Sequence, residues 1–331
     1  ELNWFTFEDY KAPTTPGYES GYLQNNNFRN RMYNFELLAL YNNSWGDFDF
    51  NATLGGNLYK VNNQTIVTTA KDMKIRDVVA LMSFNEVSVE PYSYRKQINS
   101  IYGAVNLGWK HMLYFDATLR GDQSSTLPIS NNMYIYPSFS GSFVFSELLK
   151  LGDKLPYGKV RMSWAQVGSD TDPYQLGLVY TKSKFAYPGY TIGYISNGTI
   201  PNKDLKPTKT NSFEMGLELK FLKNRIGLDF TYYSQLSKNQ IMGMASSSTS
   251  GYGYRLINAG EIENKGVEIA LNTRPIQTKD FSWDLNFNFS KNSNKVKKLV
   301  DDMDMFELEK ATWLDVQVAA KVGENFGSIV G

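Results

Sequence analysis

The 331-residue sequence contains no cysteine and only one histidine. The absence of cysteine excludes disulfide bridges, thiolate nucleophiles and zinc–thiolate sites within this chain. The single histidine, His111, has no second histidine with which to form a metal site or a relay. His111 falls between two segments that are predicted below to be strands, residues 97–109 and 112–122. We therefore expect it to be a solvated turn residue.

Long apolar runs are also missing. No run approaches the roughly 18 residues that a transmembrane helix needs, and the mean hydropathy is −0.39. The 34 basic and 33 acidic residues leave a net charge of +1, which argues against a protein that binds nucleic acid by neutralising phosphates. Residues 1–4 lack the basic start and apolar core of a signal peptide, so we expect the chain to be the interior of a longer precursor.

What the sequence does contain is apolar–polar alternation with period two, sustained over long segments. This alternation places apolar residues in one row and polar residues in another. It is clearest in residues 47–58, 212–221 and 281–289, and it recurs in residues 33–41, 113–119 and 226–232. Soluble strands usually have about five or six residues, whereas these have about ten to twelve, which is the length that a tilted strand needs to cross a bilayer. The length favours membrane strands over a soluble sandwich.

The links between these segments alternate between short and long, as in outer-membrane barrels with short periplasmic turns and longer external loops. The short and medium links are residues 43–46, 110–111, 148–157, 222–224 and 274–279. The long stretches are residues 11–30, 61–96, 123–136, 169–210, 237–262 and those after about 292. About eleven strands follow, near residues 1–10, 31–42, 47–60, 97–109, 112–122, 137–147, 158–168, 211–221, 225–236, 263–273 and 281–291.

The predicted fold is all-β, a transmembrane antiparallel β-barrel in which residues 1–331 form a single domain. A barrel is required because every backbone polar group in hydrocarbon must be paired within the protein. Single-chain bacterial barrels have an even number of strands, so an odd number indicates part of a larger barrel whose last strands are missing here.

Charged residues avoid the apolar rows, since an Arg or Lys facing lipid at mid-bilayer costs about 2–4 kcal/mol. We therefore predict that the charged residues, which lie in the polar rows, face the lumen of the barrel. The alternative is that they lie on the solvated face of a soluble β-sandwich. Aromatic residues near the short turns indicate an interfacial girdle, with core packing as the alternative: Trp45, Trp109, Phe221 and Trp283. The predicted lumen-facing residues are Asp116, Arg120, Glu214, Glu218, Asp229, Glu268 and Asp284.

The loops offer weaker candidates. Loop tyrosines can stack on sugars or pack against a partner, although packing within the loop is the more ordinary role. Residues 170–172 and 301–304 are rich in aspartate but lack the glycine and distal glutamate of a calcium-binding loop, which favours solvated acids. No carboxylate pair stands out as an acid and a base, so we predict no catalysis, no cofactor and no metal site. The loop tyrosines are Tyr174, Tyr187, Tyr190, Tyr194, Tyr252 and Tyr254.

Four blocks of the sequence are similar to segments of a known family. They are LRGDQSS at residues 119–125 with YPSFS at 136–140, VRMSWAQVG at 160–168, PNKDLKPTKT at 201–210 and NAGEIENKGVE at 258–268. They resemble the R-x-D-G-S-S and F-P-S, R-x-S-x-x-x-x-G, N-P-x-L-K-x-E-x-T and N-x-G-x-I-x-N-K-G-x-E segments of SusC/RagA-type TonB-dependent outer-membrane transporters of Bacteroidetes. The last block is the most specific. Gln123 and Lys209 depart from the family, which usually has glycine and an acidic residue there.

This resemblance implies a barrel of about 22 strands with an N-terminal plug, coupled to TonB through a TonB box. It also implies a location in the outer membrane of a Gram-negative bacterium and a SusD-like lipoprotein over the external mouth. The cargo of such a pair is an oligosaccharide or an oligopeptide. This chain would form about half of the barrel wall, and neither the plug nor the TonB box is recognisable in it.

Two other classes of protein remain as alternatives. A passive porin or an adhesin would use the same barrel without energy coupling and would conduct ions in a planar bilayer. A soluble carbohydrate-binding β-sandwich or a secreted hydrolase would stay in solution without detergent. The long apolar rows argue against the soluble class, because they would expose far more than the few hundred Å² of apolar surface that monomers tolerate.

Overall fold

A computed structural model describes residues 2–76, 78–150, 152–182, 190, 192–195, 198–300, 303–310 and 316–331. The described residues are predominantly β-strand and form 17 strands. One short α-helix, α1 (Phe145–Leu149), and three single 3₁₀ turns accompany them, at Leu81–Ser83, Gly152–Lys154 and Ser248–Ser250. Among these residues, no helix combines the length and the apolar character needed to span a membrane.

Eleven strands are long. They are β1 (Leu2–Lys11), β2 (Tyr22–Trp45), β3 (Phe48–Met73), β4 (Phe84–Trp109), β5 (Leu113–Ser124), β6 (Met133–Val144), β7 (Tyr157–Ser169), β11 (Thr208–Phe221), β12 (Ile226–Ala245), β13 (Tyr254–Gln277) and β14 (Ser282–Lys298). The short strands are β8 (Tyr180–Lys182), β9 (Gly193–Ile195), β10 (Thr199–Ile200), β15 (Met305–Lys310), β16 (Gln317–Lys321) and β17 (Ser328–Val330).

The chain forms two compact units, of which the first comprises Glu1–Glu36 and Asn57–Asn99. This unit holds β1 and the loop-side parts of the next three strands, in the order β1-β2-β3-β4. Strand β1 is antiparallel to β2 in a register that places Leu2 opposite Arg31. A small core of Leu23, Ala70 and Phe84 lies where these strands reach their loops.

The second unit comprises Leu37–Gly56 and Ser100–Gly331. Its sheet continues in the order β4-β5-β6-β7-β11-β12-β13-β14. From β5 onward each strand is antiparallel to the next, and β10 adds a short parallel pair at the loop end of β13. Separate small sheets are formed by β8-β9 and by β15-β16-β17.

The strand register sorts the side chains onto two faces. Leu217 lies opposite Val160 on one side and Phe230 on the other, whereas its neighbour Glu218 lies opposite Lys159 and Asp229. Because successive residues of a strand point to opposite sides, the sheet has an apolar face, which carries Leu217, and a polar face, which carries Glu218. Phe287 on the apolar face is 61% exposed. A continuous apolar face of this kind suits lipid rather than water.

The eleven predicted strands are all present and in the predicted order, which confirms the all-β barrel fold. They extend further into the predicted long loops than expected, however, because β3 and β4 take up most of residues 61–96. In β3 both faces are polar there, as in the run Asn62-Asn63-Gln64, and the alternation that marks a membrane strand disappears. Residues after 292, predicted as a loop, continue β14 and then form β15–β17.

The short turns lie at the predicted links or a few residues beyond them. Strand β2 continues to Trp45 and β13 to Gln277, so the turns that follow them are at Gly46–Asp47 and at residues 278–281. Between β4 and β5, Lys110 and His111 have φ angles of 51° and 52°, the left-handed pair of a tight hairpin turn. The His111 side chain is 84% exposed, and its Nδ1 atom lies 3.9 Å from Asp49. The turn between β11 and β12 is likewise built from left-handed residues, Leu222–Asn224.

Aromatic residues lie beside these turns. Trp45 ends β2 with its ring 5.8 Å from that of Phe50, and Trp109 ends β4 with its ring 6.4 Å from that of Phe48. The ammonium group of Lys110 lies 5.0 Å from the Trp109 ring. Aromatic rings with a neighbouring cation at the strand ends fit the interfacial girdle that the sequence predicts.

Candidate lumen face of the barrel wall

The polar face of β7, β11, β12 and β13 carries a row of residues aligned by the strand register. Arg161 lies opposite Gly216, which lies opposite Thr231, and Thr231 in turn lies opposite Glu268. The adjacent row contains Lys159, Glu218 and Asp229. Charges of both signs are therefore placed side by side across four strands.

Arg161 is the centre of a polar cluster on this face. Its two terminal nitrogens donate to the two carboxylate oxygens of Asp229 at 3.0 and 2.8 Å, and one of them also donates to Thr231 Oγ1 at 2.6 Å. This is the bidentate geometry in which a guanidinium holds a carboxylate most strongly. Gly216 makes the arrangement possible, since a Cβ atom there would lie 2.7 Å from Arg161 Cγ.

A cavity of about 370 Å³ opens beside this cluster. Arg161, Asp229, Thr231, Glu268 and Ser290 are among the residues that line it. The cavity therefore presents a positive charge, two carboxylates and two hydroxyl groups, which can hydrogen-bond sugars or peptide groups.

The structure places the predicted charged residues of β11–β13 on this face. Glu214 lies opposite Ser163 in β7, and Glu218 has the Lys220 ammonium group 3.7 Å from its carboxylate. Within the described part of the chain, Glu214 and Glu268 have no ion pair at 4 Å or less. Asp284 is near the short turn between β13 and β14, where it accepts a hydrogen bond of 2.6 Å from Arg274 Nε.

Arg120 and Asp116 of β5 form a second group. Arg120 donates to Asp122 at 2.9 Å, to Tyr136 Oη at 3.1 Å and to Ser100 Oγ at 2.8 Å. Its guanidinium also lies 5.2 Å from the Tyr102 ring. Asp116 accepts hydrogen bonds from Asn106 and from Ser140 at 2.5 and 2.7 Å. The predicted residues of β5 are thus held in side-chain networks with β4 and β6.

Sequence reasoning missed two residues of these clusters, Arg161 and Asp122. Arg161 binds Asp229, and the Asp122 side chain is only 8% exposed beside Arg120. The available signal was period two, because Lys159, Arg161 and Ser163 form the polar row of β7, whereas Val160 and Met162 form its apolar row. The partners could not be identified without the register.

The predicted loop tyrosines are spread over separate segments. Tyr174, Tyr190, Tyr194 and Tyr254 are exposed, Tyr252 is partly buried, and Tyr187 lies outside the described residues. Tyr194 is in β9, whereas Tyr254 begins β13. Their roles as substrate or partner contacts stay a prediction.

The acidic loop at residues 170–172 has a structural role. Asp170 is partly buried and accepts hydrogen bonds from Ser124 Oγ at 2.5 Å and from Thr126 Oγ1 at 3.1 Å. It therefore ties the start of one external loop to the end of β5 rather than standing free in water. Asp301 and Asp302 of the other acidic run lie outside the described residues.

The comparisons with known proteins agree with this architecture. The sequence profile of a family described as "TonB dependent receptor-like, beta-barrel" matches residues 2–312. TonB-dependent receptor P3 of Formosa agariphila is 28% identical over 310 residues, which are 89% of this chain and 30% of that protein. TonB-dependent receptor SusC of Bacteroides thetaiotaomicron is 30% identical over 225 residues, which are 65% of this chain and 22% of SusC.

Among solved structures, the chain resembles one titled "Structure of the RagAB peptide transporter". The TM-score is 0.85 at 21% identity, over 98% of this chain and 36% of that one. The chain thus spans between about a fifth and about a third of the length of these proteins. With a family profile that matches nearly its whole length, this chain belongs to the TonB-dependent receptor-like β-barrel family, is related to SusC, and is part of the wall of an outer-membrane barrel.

Proposed function

We propose that the polar face lines the lumen of an importer that takes up oligosaccharides or oligopeptides across the outer membrane, energised through TonB. The observation that carries this proposal is the cavity at Arg161, Asp229 and Glu268, which lies on the face opposite the apolar one. Family membership supports the energy coupling, which would act through parts of the protein outside this chain.

The cargo class rests on chemistry and on the named relatives. Mixed charges and hydroxyl groups along a wet wall suit flexible polar oligomers, which are bound by many weak hydrogen bonds. The structurally similar RagAB is described as a peptide transporter. The SusC relationship supports a SusD-like surface lipoprotein as the partner of this chain. The proposed role is transport, with no catalytic step.

Uptake by cells tests the proposal. Bacteria that express the full-length protein are given a labelled oligopeptide mixture or labelled malto-oligosaccharides, with and without a protonophore and in a strain that lacks TonB. We expect one cargo class to enter only when TonB and the proton gradient are present. Uptake that persists without both would contradict active import.

Ion conductance distinguishes the proposed importer from a passive porin. A porin-type barrel would conduct ions in a planar bilayer as purified, whereas a plugged importer would stay closed. Co-purification of the tagged full-length protein with a surface lipoprotein tests the partner separately, because a barrel without such a partner could still import.

A further inference from the structure

Three arginines converge on a small cavity in the first unit of the chain. Arg29 and Arg31 come from β2 and Arg95 from β4, and the cavity of about 110 Å³ between them is also lined by Asn62 and Gln64 of β3. None of its lining residues is acidic. Within the described part of the chain, neither Arg29 nor Arg31 forms an ion pair with an acidic residue.

Two of the arginines lie on the same side of β2 as two aromatic residues. Arg29 and Arg31 are in the same alternating row as Tyr33 and Phe35, which follow them in β2 toward the short turn. The exposed Trp4 of β1 lies directly opposite Arg29. Aromatic rings beside the first charged residues of a membrane strand mark the boundary between hydrocarbon and water.

This boundary is the external one. Strand β2 runs from Tyr22 to Trp45, and its other end is the short Gly46–Asp47 turn, which is the periplasmic kind. We therefore expect the three arginines, which line one cavity, to lie near the headgroups of the outer leaflet.

The cavity has the donors that a phosphate needs. Guanidinium groups bind phosphate oxygens through paired N–H donors, and several of them around one small cavity complement a doubly charged group. Asn62 adds a carboxamide whose oxygen is buried with no hydrogen-bond partner. The same side-chain amide also carries an NH₂ group, which can donate hydrogen bonds.

We propose that Arg29, Arg31 and Arg95 form a binding site for the phosphate of an outer-leaflet lipid headgroup, whose acyl chains lie along Tyr33 and Phe35. The site fixes one lipid on the outer wall of the barrel. It does not depend on the cargo or on energy coupling, since it requires only that the barrel spans the outer membrane.

Native mass spectrometry of the detergent-solubilised, delipidated full-length protein tests this site. The protein is titrated with dioleoylphosphatidic acid, with dioleoylglycerol as the same lipid without phosphate, and with inorganic phosphate alone. We expect one phosphatidic acid to be retained at concentrations where neither dioleoylglycerol nor inorganic phosphate is. Equal retention of dioleoylglycerol would overturn the role of phosphate, and equally tight binding of inorganic phosphate would overturn the lipid assignment.

Two double variants locate the site. Arg29→Gln with Arg31→Gln should weaken the binding of phosphatidic acid about tenfold or more, because two charged donors are lost. Lys74→Gln with Arg76→Gln removes the same charge from a loop outside the cavity and should bind like the natural protein. Equal weakening in both would show a general charge effect and overturn the site. If the first variant does not fold, Arg29→Gln alone, at an exposed position, should still weaken binding about threefold.

Discussion

At the scale of single residues, the polar face depends on pairs in which one residue makes room for another. Gly216 leaves the space that the Arg161 side chain crosses on its way to Asp229. Gly266 does the same for Tyr233, whose ring lies over the glycine and whose hydroxyl group donates to Asn292 at 3.1 Å. An aromatic ring covering a strand glycine in this way stabilises the register of the sheet.

Replacing Arg161 by Gln should lower the free energy of unfolding by about 1–2 kcal/mol, because Asp229 would lose two charge-assisted hydrogen bonds in a half-exposed setting. Lys159→Gln is the matched control, since it makes the same charge change on the same face of β7. Urea unfolding of the full-length protein in lipid vesicles, followed by tryptophan fluorescence, measures both. An equal decrease in the free energy of unfolding in both variants would show that the hydrogen bonds between Arg161 and Asp229 do not stabilise the protein specifically.

Replacing Gly266 by Ala should lower stability by about 1–3 kcal/mol, because the new methyl group would meet the Lys291 carbonyl oxygen and, at 2.6 Å, the Tyr233 hydroxyl group. The carbonyl cannot move without separating β13 from β14. At Gly227 the nearest atoms are 3.8 and 3.9 Å away, so Gly227→Ala serves as the control. Thermal unfolding followed by circular dichroism should separate the two variants, and a smaller loss at Gly266 than at Gly227 would contradict this account.

At the scale of strands and turns, the hairpins combine long strands with very short links. The turn at Lys110 and His111 places two residues with side chains in the left-handed region, which costs about 1–2 kcal/mol for each. Asparagine followed by glycine is the pair that such a turn prefers. The natural turn is therefore not the most stable one for its geometry.

The double variant Lys110→Asn with His111→Gly should stabilise the β4–β5 hairpin by about 1 kcal/mol, because both residues tolerate positive φ. The variant with alanine at both positions keeps the strain and should give no gain. Amide hydrogen exchange of residues 105–117 in the full-length protein measures the local stability directly. Slower exchange in the alanine variant than in the Asn-Gly variant would contradict the turn geometry.

At the scale of the whole molecule, the long strands have one apolar and one polar face. The apolar face carries residues such as Phe50, Leu217 and Phe287, and each is adjacent in sequence to a residue of the polar face. A soluble protein would have to cover the apolar face with a second layer, whereas a membrane barrel leaves it to lipid.

Spin labels test this division. Because the chain has no cysteine, single cysteines can be introduced at Phe50, Leu217 and Phe287 and, as matched neighbours, at Asn51, Glu218 and Asn288. In lipid vesicles the first three labels should collide with oxygen, which is concentrated in the acyl chains, and the second three with a water-soluble nickel chelate. Labels at both sets that are shielded from both reagents would indicate a dry protein interior and contradict the barrel.

Much of this architecture could be predicted from residue order. Period two is a local property, so the rows that begin at Phe48, Phe213 and Phe281 identify strands and their faces without knowledge of their neighbours. The positions of the short turns followed from the ends of these rows. The loop-side extension of β3 was missed, because a strand with polar residues on both faces, as at Asn62-Asn63-Gln64, has no hydrophobic period.

The sequence by itself determined that the chain is a set of bilayer-length strands, which residues can face lipid, and to which family it belongs, since these depend on alternation and on short motifs. Only the tertiary structure decided that Arg161 binds Asp229, 68 residues away, and that Arg29, Arg31 and Arg95 surround one cavity. Such contacts depend on the strand register, and a shift of one residue would exchange the two faces of a strand. Register is set jointly by all neighbouring strands, so no local segment of sequence carries it.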